Sequence, residues 1–340
     1  MPVLDTFRRP LRNLRISVTD RCNLRCQYCM PEMDYVWLPR QDILEFEEIG
    51  RLVDVFTTAG VDRLRLTGGE PLVRRDLQNL VRILASKSKI RDLALTTNGV
   101  LLEEQAGALR DAGLHRVTIS LDTLQRDRFR ALTRFDELPR VLAGIRAASS
   151  LGFSAVKIDS VVIRGVNHDE LVALLEYGRT VGAEVRFIEY MDVGGATQWS
   201  REKVVSRSEI LDGLERHYGP IEPVVEESSA PADRFRVSDG TVFGIISSTT
   251  APFCASCDRS RLTADGLWYL CLYGVHGTDL RGPLRAGASP ADLRRLIESG
   301  WSSRADRGAE ERLALRDRAA LVSVDTLRRD PHLEMHTRGG

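Results

Sequence analysis

The 340 residues of the chain are enough for one large α/β domain with an appendage or for two domains of ordinary size. The 48 Lys and Arg residues balance the 48 Asp and Glu residues, which excludes a global charge field directed at nucleic acid or anionic membranes. Residues 1–10 lack the apolar stretch of a signal peptide, and no apolar run approaches the roughly 18 residues of a membrane span. We therefore expect a cytoplasmic protein.

Short β-rich stretches alternate with helical patterns through the N-terminal part of the chain. The pattern predicts strands at 14–19, 63–67, 93–97, 116–121, 155–163 and 185–189. Helical patterns between them include 46–59, 76–86 and 169–181. Short connections between strands and helices predict a parallel sheet, which right-handed crossovers curl toward a barrel. The predicted fold is thus α/β, an incomplete (β/α)6 barrel of the TIM type with a C-terminal cysteine-rich extension.

A second region begins near residue 200, and we predict domains at 1–199 and 200–340. It contains a predicted hairpin, with strands at 235–237 and 242–247 around an Asp-Gly turn, and a helix at about 290–300. Residues 302–330 are rich in charge and hard to place. In the first region the polar and glycine-rich motifs directly follow strands. They therefore lie at the C-terminal edge of the sheet, where active sites are found in such folds.

The six cysteines form two closely spaced triplets, which in a reducing compartment favours metal ligation over disulfides. The first triplet, Cys22, Cys26 and Cys29, supplies three soft thiolates from one loop. A four-iron cluster normally takes four cysteines, so a cluster held here leaves one iron open. Zinc is the alternative, but it needs a fourth ligand and no histidine precedes His115.

The second triplet has the spacing Cys-x2-Cys-x13-Cys and consists of Cys254, Cys257 and Cys271. His276 could complete a Cys3His zinc site, so spacing alone leaves zinc and an iron–sulfur cluster equally open. Between these cysteines lies an Arg-x-Arg pair, whose side chains would point the same way from an extended segment and could grip a phosphate. The alternative for this pair is a solvated surface position.

Residues 14–31 read LRISVTDRCNLRCQYCMP, and Cys-x3-Cys-x2-Cys with an aromatic residue before the last cysteine is the signature of radical S-adenosylmethionine enzymes. Together with RLTGGEPL at 65–72, RFIEYMDVG at 186–194 and the terminal Gly-Gly, this opening is similar to the GTP 3′,8-cyclase family of molybdenum cofactor biosynthesis. The resemblance covers nearly the whole chain and weakens over 200–230 and 300–335.

The resemblance implies two [4Fe-4S] clusters, one on each triplet, and S-adenosylmethionine as a further cofactor. It implies contacts to S-adenosylmethionine at Tyr28, Gly69, Glu70, Ser120 and Met191. It implies contacts to GTP at Arg15, Arg65, Thr96, Lys157, Arg259 and Arg261. It also implies an active-site tail at Gly339 and Gly340, here preceded by Arg338, where many relatives carry an apolar residue.

The implied activity is that of a lyase in which the cofactor radical, and no protein residue, carries out the chemistry. A 5′-deoxyadenosyl radical removes the ribose 3′ hydrogen of GTP, and attack on C8 leads to 3′,8-cyclo-7,8-dihydro-GTP. A cyclic pyranopterin monophosphate synthase would act on the product, and the family suggests a homodimer. Two alternatives are the same chemistry on a peptide or another nucleotide, and a non-catalytic zinc or electron-transfer protein.

Overall fold

The structure, a computed structural model, describes residues 2–225 and 229–339. Its strands are β1 Asn13–Ser17, β2 Arg63–Thr67, β3 Asp92–Thr97, β4 Arg116–Ser120, β5 Ala155–Val162, β6 Glu184–Glu189, β7 Glu222–Val224, β8 Asp233–Arg236, β9 Val242–Ile246, β10 Arg259–Leu262, β11 Leu267–Tyr269 and β12 Thr278–Asp279. Its α-helices are α1 Phe46–Ala59, α2 Leu77–Ala85, α3 Leu102–Asp111, α4 Arg126–Thr133, α5 Leu138–Ser150, α6 Leu171–Val181, α7 Arg207–Tyr218, α8 Arg281–Arg285, α9 Pro290–Ser302, α10 Gly308–Leu313, α11 Val324–Arg329 and α12 Met335–Arg338.

Within these residues all strands belong to one sheet, in the order β12-β11-β10-β1-β2-β3-β4-β5-β6-β9-β8-β7. Strands β1 to β6 pair in parallel in chain order, as the sequence predicts. The α/β class and the parallel sheet are confirmed. The C-terminal region extends both edges of this unit, because β10 pairs in parallel with β1 and β9 pairs in parallel with β6. The predicted boundary at residue 200 stays a prediction, since strands from both sides of it share the sheet.

Strand β5 and helix α1 show how the sequence sets these elements. The residues of β5 alternate between half-buried and buried, so Lys157 and Asp159 face one side of the sheet and Val156, Ile158 and Val162 face the core. Helix α1 begins with a capping box between Glu45 and Glu48, and Leu52 and Phe56 on its apolar face are fully buried. It ends at Gly60, whose φ of 119° favours glycine.

The other predicted elements agree with the structure in type and position. The 46–59 pattern is α1, the 76–86 and 169–181 patterns contain α2 and α6, and the predicted hairpin is the antiparallel pair β8–β9. The predicted helix at 290–300 lies within α9, and α10 and α11 occupy the stretch that sequence could not place. Across the described ranges, no helix combines the length and apolar character needed to cross a membrane.

Candidate active site

A cavity of about 1230 Å³ lies on the polar face of the sheet and is lined by residues from β1 to β6 and from β10. Because these distant strands face one space, the sheet curls around it. Most predicted site residues line this cavity, namely Arg15, Cys22, Cys26, Tyr28, Cys29, Arg65, Gly69, Thr96, Ser120, Lys157, Met191, Arg259 and Arg261. The structure therefore brings together, from segments far apart in sequence, residues that were predicted for the first cluster, the cofactor and the nucleotide.

The first cysteine loop lies on the cavity wall between β1 and α1. Burial raises the pKa of Cys22 to about 11. Burial also holds the pKa of Cys26 well above its usual value, with added repulsion from Cys22 and Cys29, so the three thiols share one poorly solvated site. The backbone N–H of Leu24 donates to Cys22 Sγ at 3.4 Å. Without metal these thiols would keep their protons, and a cationic cluster would displace them.

This donor set suits an iron–sulfur cluster, because cysteine thiolates are the usual ligands of such clusters. Cys22, Cys26 and Cys29 all line the cavity, where a fourth ligand from outside the protein could enter.

The Gly-Gly-Glu-Pro motif packs directly against the first cysteine loop. The N–H of Gly69 donates to the Thr19 carbonyl at 2.9 Å. A Cβ at Gly68 would lie 2.3 Å from the Thr19 carbonyl oxygen, and one at Gly69 would lie 2.3 Å from that of Arg21. The glycines therefore permit the close backbone approach predicted from the sequence. The backbone that they approach belongs to the protein's own first cysteine loop.

Glu70 lies behind the cavity wall with its side chain fully buried. Its carboxylate accepts hydrogen bonds from the Leu72 N–H at 2.9 Å, the Thr97 hydroxyl at 2.7 Å and the Asn98 N–H at 2.7 Å. Burial raises its pKa to about 7. Glu70 thus fixes the ends of β2 and β3 relative to each other and is not among the cavity-lining residues, whereas the neighbouring Gly69 is.

A tyrosine–aspartate pair ties the same loop to the other side of the cavity. The Tyr28 hydroxyl donates to Asp122 Oδ2 at 2.6 Å, and Asp122 Oδ1 accepts from the Val161 N–H at 2.8 Å. Burial raises the pKa of Asp122 to about 6. Sequence reasoning missed Asp122, although its position two residues after β4 is a signal of the kind that identified Ser120.

A belt of basic side chains covers the cavity floor. The parallel register places Arg15 beside Arg65 on one neighbouring strand and beside Arg261 on the other. Burial, followed by repulsion from Arg261 and Arg65, holds the pKa of Arg15 well below its usual value. Arg65 Nη1 donates to the hydroxyls of Thr96 at 2.9 Å and Thr118 at 3.1 Å. Buried like charges repel strongly, so a bound polyanion would relieve this repulsion.

Lys157 and Arg186 share a carboxylate at the far side of the floor. Lys157 Nζ donates to Glu184 Oε1 at 2.8 Å, and Arg186 Nε donates to the same oxygen at 3.0 Å. All three residues line the cavity. Lys157 therefore has an internal partner that the sequence did not reveal, because Glu184 is adjacent to it only through the β5–β6 register.

The second cysteine loop lies behind the wall formed by Phe253, Arg259, Arg261 and Leu272, which themselves line the cavity. Burial raises the pKa of Cys271 to about 11. Although burial opposes the thiolate of Cys257, Arg259 and Arg304 lower its pKa to about 7. His276, the ligand that the zinc alternative requires, is exposed. Cys254, Cys257 and Cys271 are free cysteines.

The N-terminal segment and the loop after α9 clamp this second loop. Arg304 Nη1 donates to the Cys257 carbonyl at 2.9 Å, and Arg9 Nη1 donates to the Cys254 carbonyl at 2.9 Å. Arg9 is itself held by the buried carboxylate of Asp5. Arg259 Nη2 approaches Cys257 Sγ at 3.5 Å. Sequence reasoning missed both Arg9 and Arg304, since neither lies in a motif.

The C-terminal segment passes between the two cysteine loops. A Cβ at Gly339 would lie 2.3 Å from Thr67 Cγ2, and the Gly339 carbonyl accepts from Arg15 Nη1 at 3.4 Å. Arg338 Nη1 donates to the Leu272 carbonyl at 3.0 Å, directly after Cys271. The tail therefore reaches the basic belt through Gly339, while the predicted position of Gly340 lies outside the described residues.

The other side of this segment packs on the first cysteine loop. The His336 ring contacts Tyr35 edge to face, with a centroid distance of 5.2 Å, and Trp37 at 6.0 Å. The Arg25 guanidinium, one residue before Cys26, lies 5.6 Å from the Tyr35 ring centroid. The short helix α12 is thereby held from both sides.

Asp192, in the motif after β6, is a fully buried hub that the sequence did not assign. Its carboxylate accepts from Arg312 Nε at 2.8 Å and from Arg318 Nη2 at 2.8 Å. The Tyr273 hydroxyl donates to the same carboxylate at 3.3 Å. These bonds join the end of β6, the charged 302–330 stretch and the second cysteine loop.

The cysteine loop, the glycine motif beside it and the curled parallel sheet define the radical S-adenosylmethionine class. The Radical SAM superfamily matches residues 16–178, and Molybdenum Cofactor Synthesis C matches residues 183–310. The fold is similar to that of Streptococcus suis SuiB, whose crystal structure with S-adenosylmethionine gives a TM-score of 0.58 at 16% identity over 84% of this chain and 68% of that one.

Relatives of high sequence identity identify one family within this class. GTP 3′,8-cyclase 1 of Mycobacterium tuberculosis is 57% identical over 99% of this chain and 95% of its own length. GTP 3′,8-cyclases of Acidothermus cellulolyticus and Aquifex aeolicus are 47% and 43% identical, over 92% and 91% of this chain and 89% and 95% of their own lengths. The chain belongs to the GTP 3′,8-cyclase family. This membership excludes the non-catalytic zinc or electron-transfer alternative.

Proposed function

We propose that the protein is a radical S-adenosylmethionine enzyme that converts GTP to 3′,8-cyclo-7,8-dihydro-GTP, the first step of molybdenum cofactor biosynthesis. The observation that carries this proposal is the arrangement of one cavity with a cysteine loop at one side and a buried belt of arginines across its floor. The cysteine loop suits a cluster and its cofactor, and the belt of arginines suits a triphosphate.

Cys22, Cys26 and Cys29 would hold the first [4Fe-4S] cluster, and Tyr28, Gly69, Ser120 and Met191 would contact S-adenosylmethionine. When bound, the cluster and S-adenosylmethionine together supply the 5′-deoxyadenosyl radical that removes the ribose 3′ hydrogen. Glu70 would support the cofactor site indirectly, because its carboxylate holds the backbone of Leu72 and Asn98. Tyr28 is held in place by Asp122. The chain's own task here is orientation and exclusion of water.

The basic belt would bind the nucleotide. Arg15, Arg65, Arg259 and Arg261 present guanidinium groups to the cavity, and Thr96 and Lys157 line it with them. Phosphate oxygens would offset the repulsion that now acts among the buried guanidinium groups. The radical formed on the ribose and the C8 it attacks belong to one nucleotide, so a fixed conformation of that nucleotide is the main contribution the belt can make.

The second triplet would hold a second [4Fe-4S] cluster, within a C-terminal cysteine-rich extension of an incomplete barrel. Cys254 and Cys271 each interact electrostatically with Cys257, and Arg259 joins Cys257 to the cavity. An open iron in that place would meet the substrate base. A homodimer, a cytoplasmic location and a downstream cyclic pyranopterin monophosphate synthase complete the proposal by family resemblance.

Anaerobic incubation of the reconstituted protein with GTP, S-adenosylmethionine and dithionite tests the activity. We expect 5′-deoxyadenosine and a cyclised nucleotide that acid and oxidation convert to a pterin. Deoxyadenosine without such a product would show that the substrate is not GTP. Arg259→Ala and Arg261→Ala should abolish product formation with GTP, whereas a peptide substrate would leave both variants active.

A further inference from the structure

Among the described residues, one carboxylate in the cavity has no hydrogen-bond partner, although Arg15 and Arg65 attract it electrostatically. Asp159, on β5, lines the cavity between residues predicted for the two ligands. It is paired in register with Ser120, and it follows Lys157 by two residues on the same face of the strand. Its Oδ1 atom is buried without a hydrogen-bond partner.

The other acidic side chains of this cavity are engaged. Asp92 pairs with Arg116, Asp122 accepts from the Tyr28 hydroxyl, and Glu184 accepts from Lys157. Glu189 accepts backbone N–H groups, and Asp233 pairs with Arg207. Asp62 Oδ1 also lacks a hydrogen bond, but it lies 3.9 Å from Arg63 Nε. Among the cavity carboxylates that the structure describes, Asp159 alone has neither a hydrogen bond nor an ion pair. A buried acceptor left in this state destabilises the protein unless a ligand supplies a donor.

The position of Asp159 restricts which part of a nucleotide it can meet. Its carboxylate attracts the guanidinium groups of Arg15 and Arg65 and would repel a triphosphate, so the phosphates belong at the Arg259 and Arg261 end of the basic belt, on β10. The base belongs toward the second cysteine loop, which also follows the β10 side of the sheet. Ser120, beside Asp159, is a predicted cofactor contact, so Asp159 faces the point where cofactor and nucleotide approach each other. The neutral donors of the nucleotide at that point are its ribose hydroxyls.

We propose that Asp159 is a specificity-determining residue that accepts a hydrogen bond from a ribose hydroxyl of the substrate nucleotide. This inference rests on the proposed function and adds the group that selects a ribonucleotide. A hydrogen bond to a charged acceptor corresponds to a difference in affinity of roughly tenfold or more.

The test compares the binding of GTP, 2′-deoxy-GTP and 3′-deoxy-GTP to the cluster-loaded protein with S-adenosylmethionine, under anaerobic conditions. We expect the unmodified protein to bind one of the two deoxy analogues at least about tenfold more weakly than GTP. In Asp159→Ala the ratio of the affinity for GTP to the affinity for that deoxy analogue should fall to roughly one. The variant has no acceptor for the hydroxyl, so the loss of the hydroxyl no longer weakens binding. Asp159→Asn keeps an acceptor oxygen and should give an intermediate ratio. Asp62→Ala, which removes a cavity carboxylate beyond the other end of the strands, should leave the ratio unchanged.

Three outcomes would overturn the inference. The ratio could stay the same in Asp159→Ala, which would mean that another group contacts the hydroxyl. The variant could lose discrimination between GTP and ITP instead, which would make Asp159 a reader of the guanine edge. It could weaken S-adenosylmethionine binding alone, which would assign it to the cofactor. Failure of the unmodified protein to bind GTP at all would instead refute the proposed function.

Discussion

The two cysteine loops carry the same number of thiols but differ in their access to the cavity and in the surroundings of one cysteine, Cys257. The thiols of the first loop line the cavity, and burial raises the pKa of Cys22 to about 11. The second loop lies behind the cavity wall, where Arg259 and Arg304 outweigh burial and lower the pKa of Cys257 to about 7. Thus the thiols of the first loop face the cavity, whereas in the second loop guanidinium groups favour the thiolate of Cys257.

This difference indicates separate tasks. A loop that opens directly onto the cavity, beside Gly69, suits a cluster that must accept a cofactor. A loop that Arg9 and Arg304 fix through its backbone carbonyls suits a cluster that must stay in a set position behind the substrate. Separate tasks would be contradicted if mutations in the two loops had the same effects on cofactor cleavage and on product formation.

The largest expected effect comes from removing a thiolate of the first loop. Cys26→Ser should lower 5′-deoxyadenosine formation by at least about a hundredfold, because a lost metal ligand has more effect than a lost outer contact. Cys257→Ser should still cleave S-adenosylmethionine but form no cyclised nucleotide. Iron analysis of both variants is the control, and each should contain about half the iron of the unmodified protein if the chain holds the two proposed clusters. Equal loss of cofactor cleavage in the two variants would contradict separate tasks.

The hub at Asp192 should give the next largest effect, on stability. Asp192→Ala leaves Arg318 and Arg312 without their carboxylate in a buried site, which should lower the free energy of unfolding by about 3–5 kcal/mol. Urea unfolding of the metal-free protein measures this. Asp42→Ala is the control, because its pair with Arg281 is partly exposed and should contribute less than about 1 kcal/mol. A loss at Asp192 as small as that of the control would mean that the hub does not join the two regions.

The elements of the parallel unit could be predicted from the sequence because their signals are local. Alternating burial in β5 and the apolar stripe of α1 are visible in the order of the residues. The pairing of β10 with β1 was not predictable, since it joins Arg15 to Arg261 across most of the chain. The same holds for Asp192, whose partners Arg312 and Arg318 lie in a stretch without hydrophobic periodicity.

The candidate site was predictable where residues lie in motifs and was not where a tertiary contact decides. The cysteine triplets are recognisable as metal sites by their spacing, and the roles of Gly69 and the Arg-x-Arg pair follow from the family resemblance of the motifs that contain them. The engaged state of Glu70, the pairing of Lys157 with Glu184 and the isolation of Asp159 follow from register and burial, which no local pattern contains.

Glu334, at the start of α12 next to the first loop, should make stability depend on pH. Burial, with repulsion from Glu32, raises its pKa to about 7. A carboxyl group whose pKa is raised by folding stabilises the folded state below its ordinary pKa, and that contribution is lost as the pH rises through 7. Glu334→Gln should therefore be more stable than the unmodified metal-free protein at pH 8, by up to about 3 kcal/mol, and equal to it near pH 4. Urea unfolding at both pH values checks this, and a constant difference between them would contradict the assignment.

The smallest effect should come from Arg338, which attaches the tail to the second loop. Arg338→Ala removes its hydrogen bonds to the carbonyls of Leu272 and Gly274. Each such bond contributes about 1.5–3 kcal/mol to the stability of the docked tail. Rearrangement of the tail recovers part of this energy, so we expect product formation to fall roughly tenfold. Arg338→Lys should restore part of it, because an ammonium group can still donate to one carbonyl.

Hydrogen exchange separates this role from a simple loss of stability. Faster exchange in Arg338→Ala should be confined to residues 271–274 and 332–339, because the guanidinium group donates to the carbonyls of Leu272, Gly274 and His332. The first loop should keep its iron and its cofactor cleavage, because His336 still packs on Tyr35 and Trp37. Arg329→Ala is the matched control, since that exposed guanidinium donates only to the Asp325 carbonyl within its own helix. If exchange at 271–274 stayed unchanged, the tail would be held by the first loop alone, and the two cysteine loops would not be coupled through it.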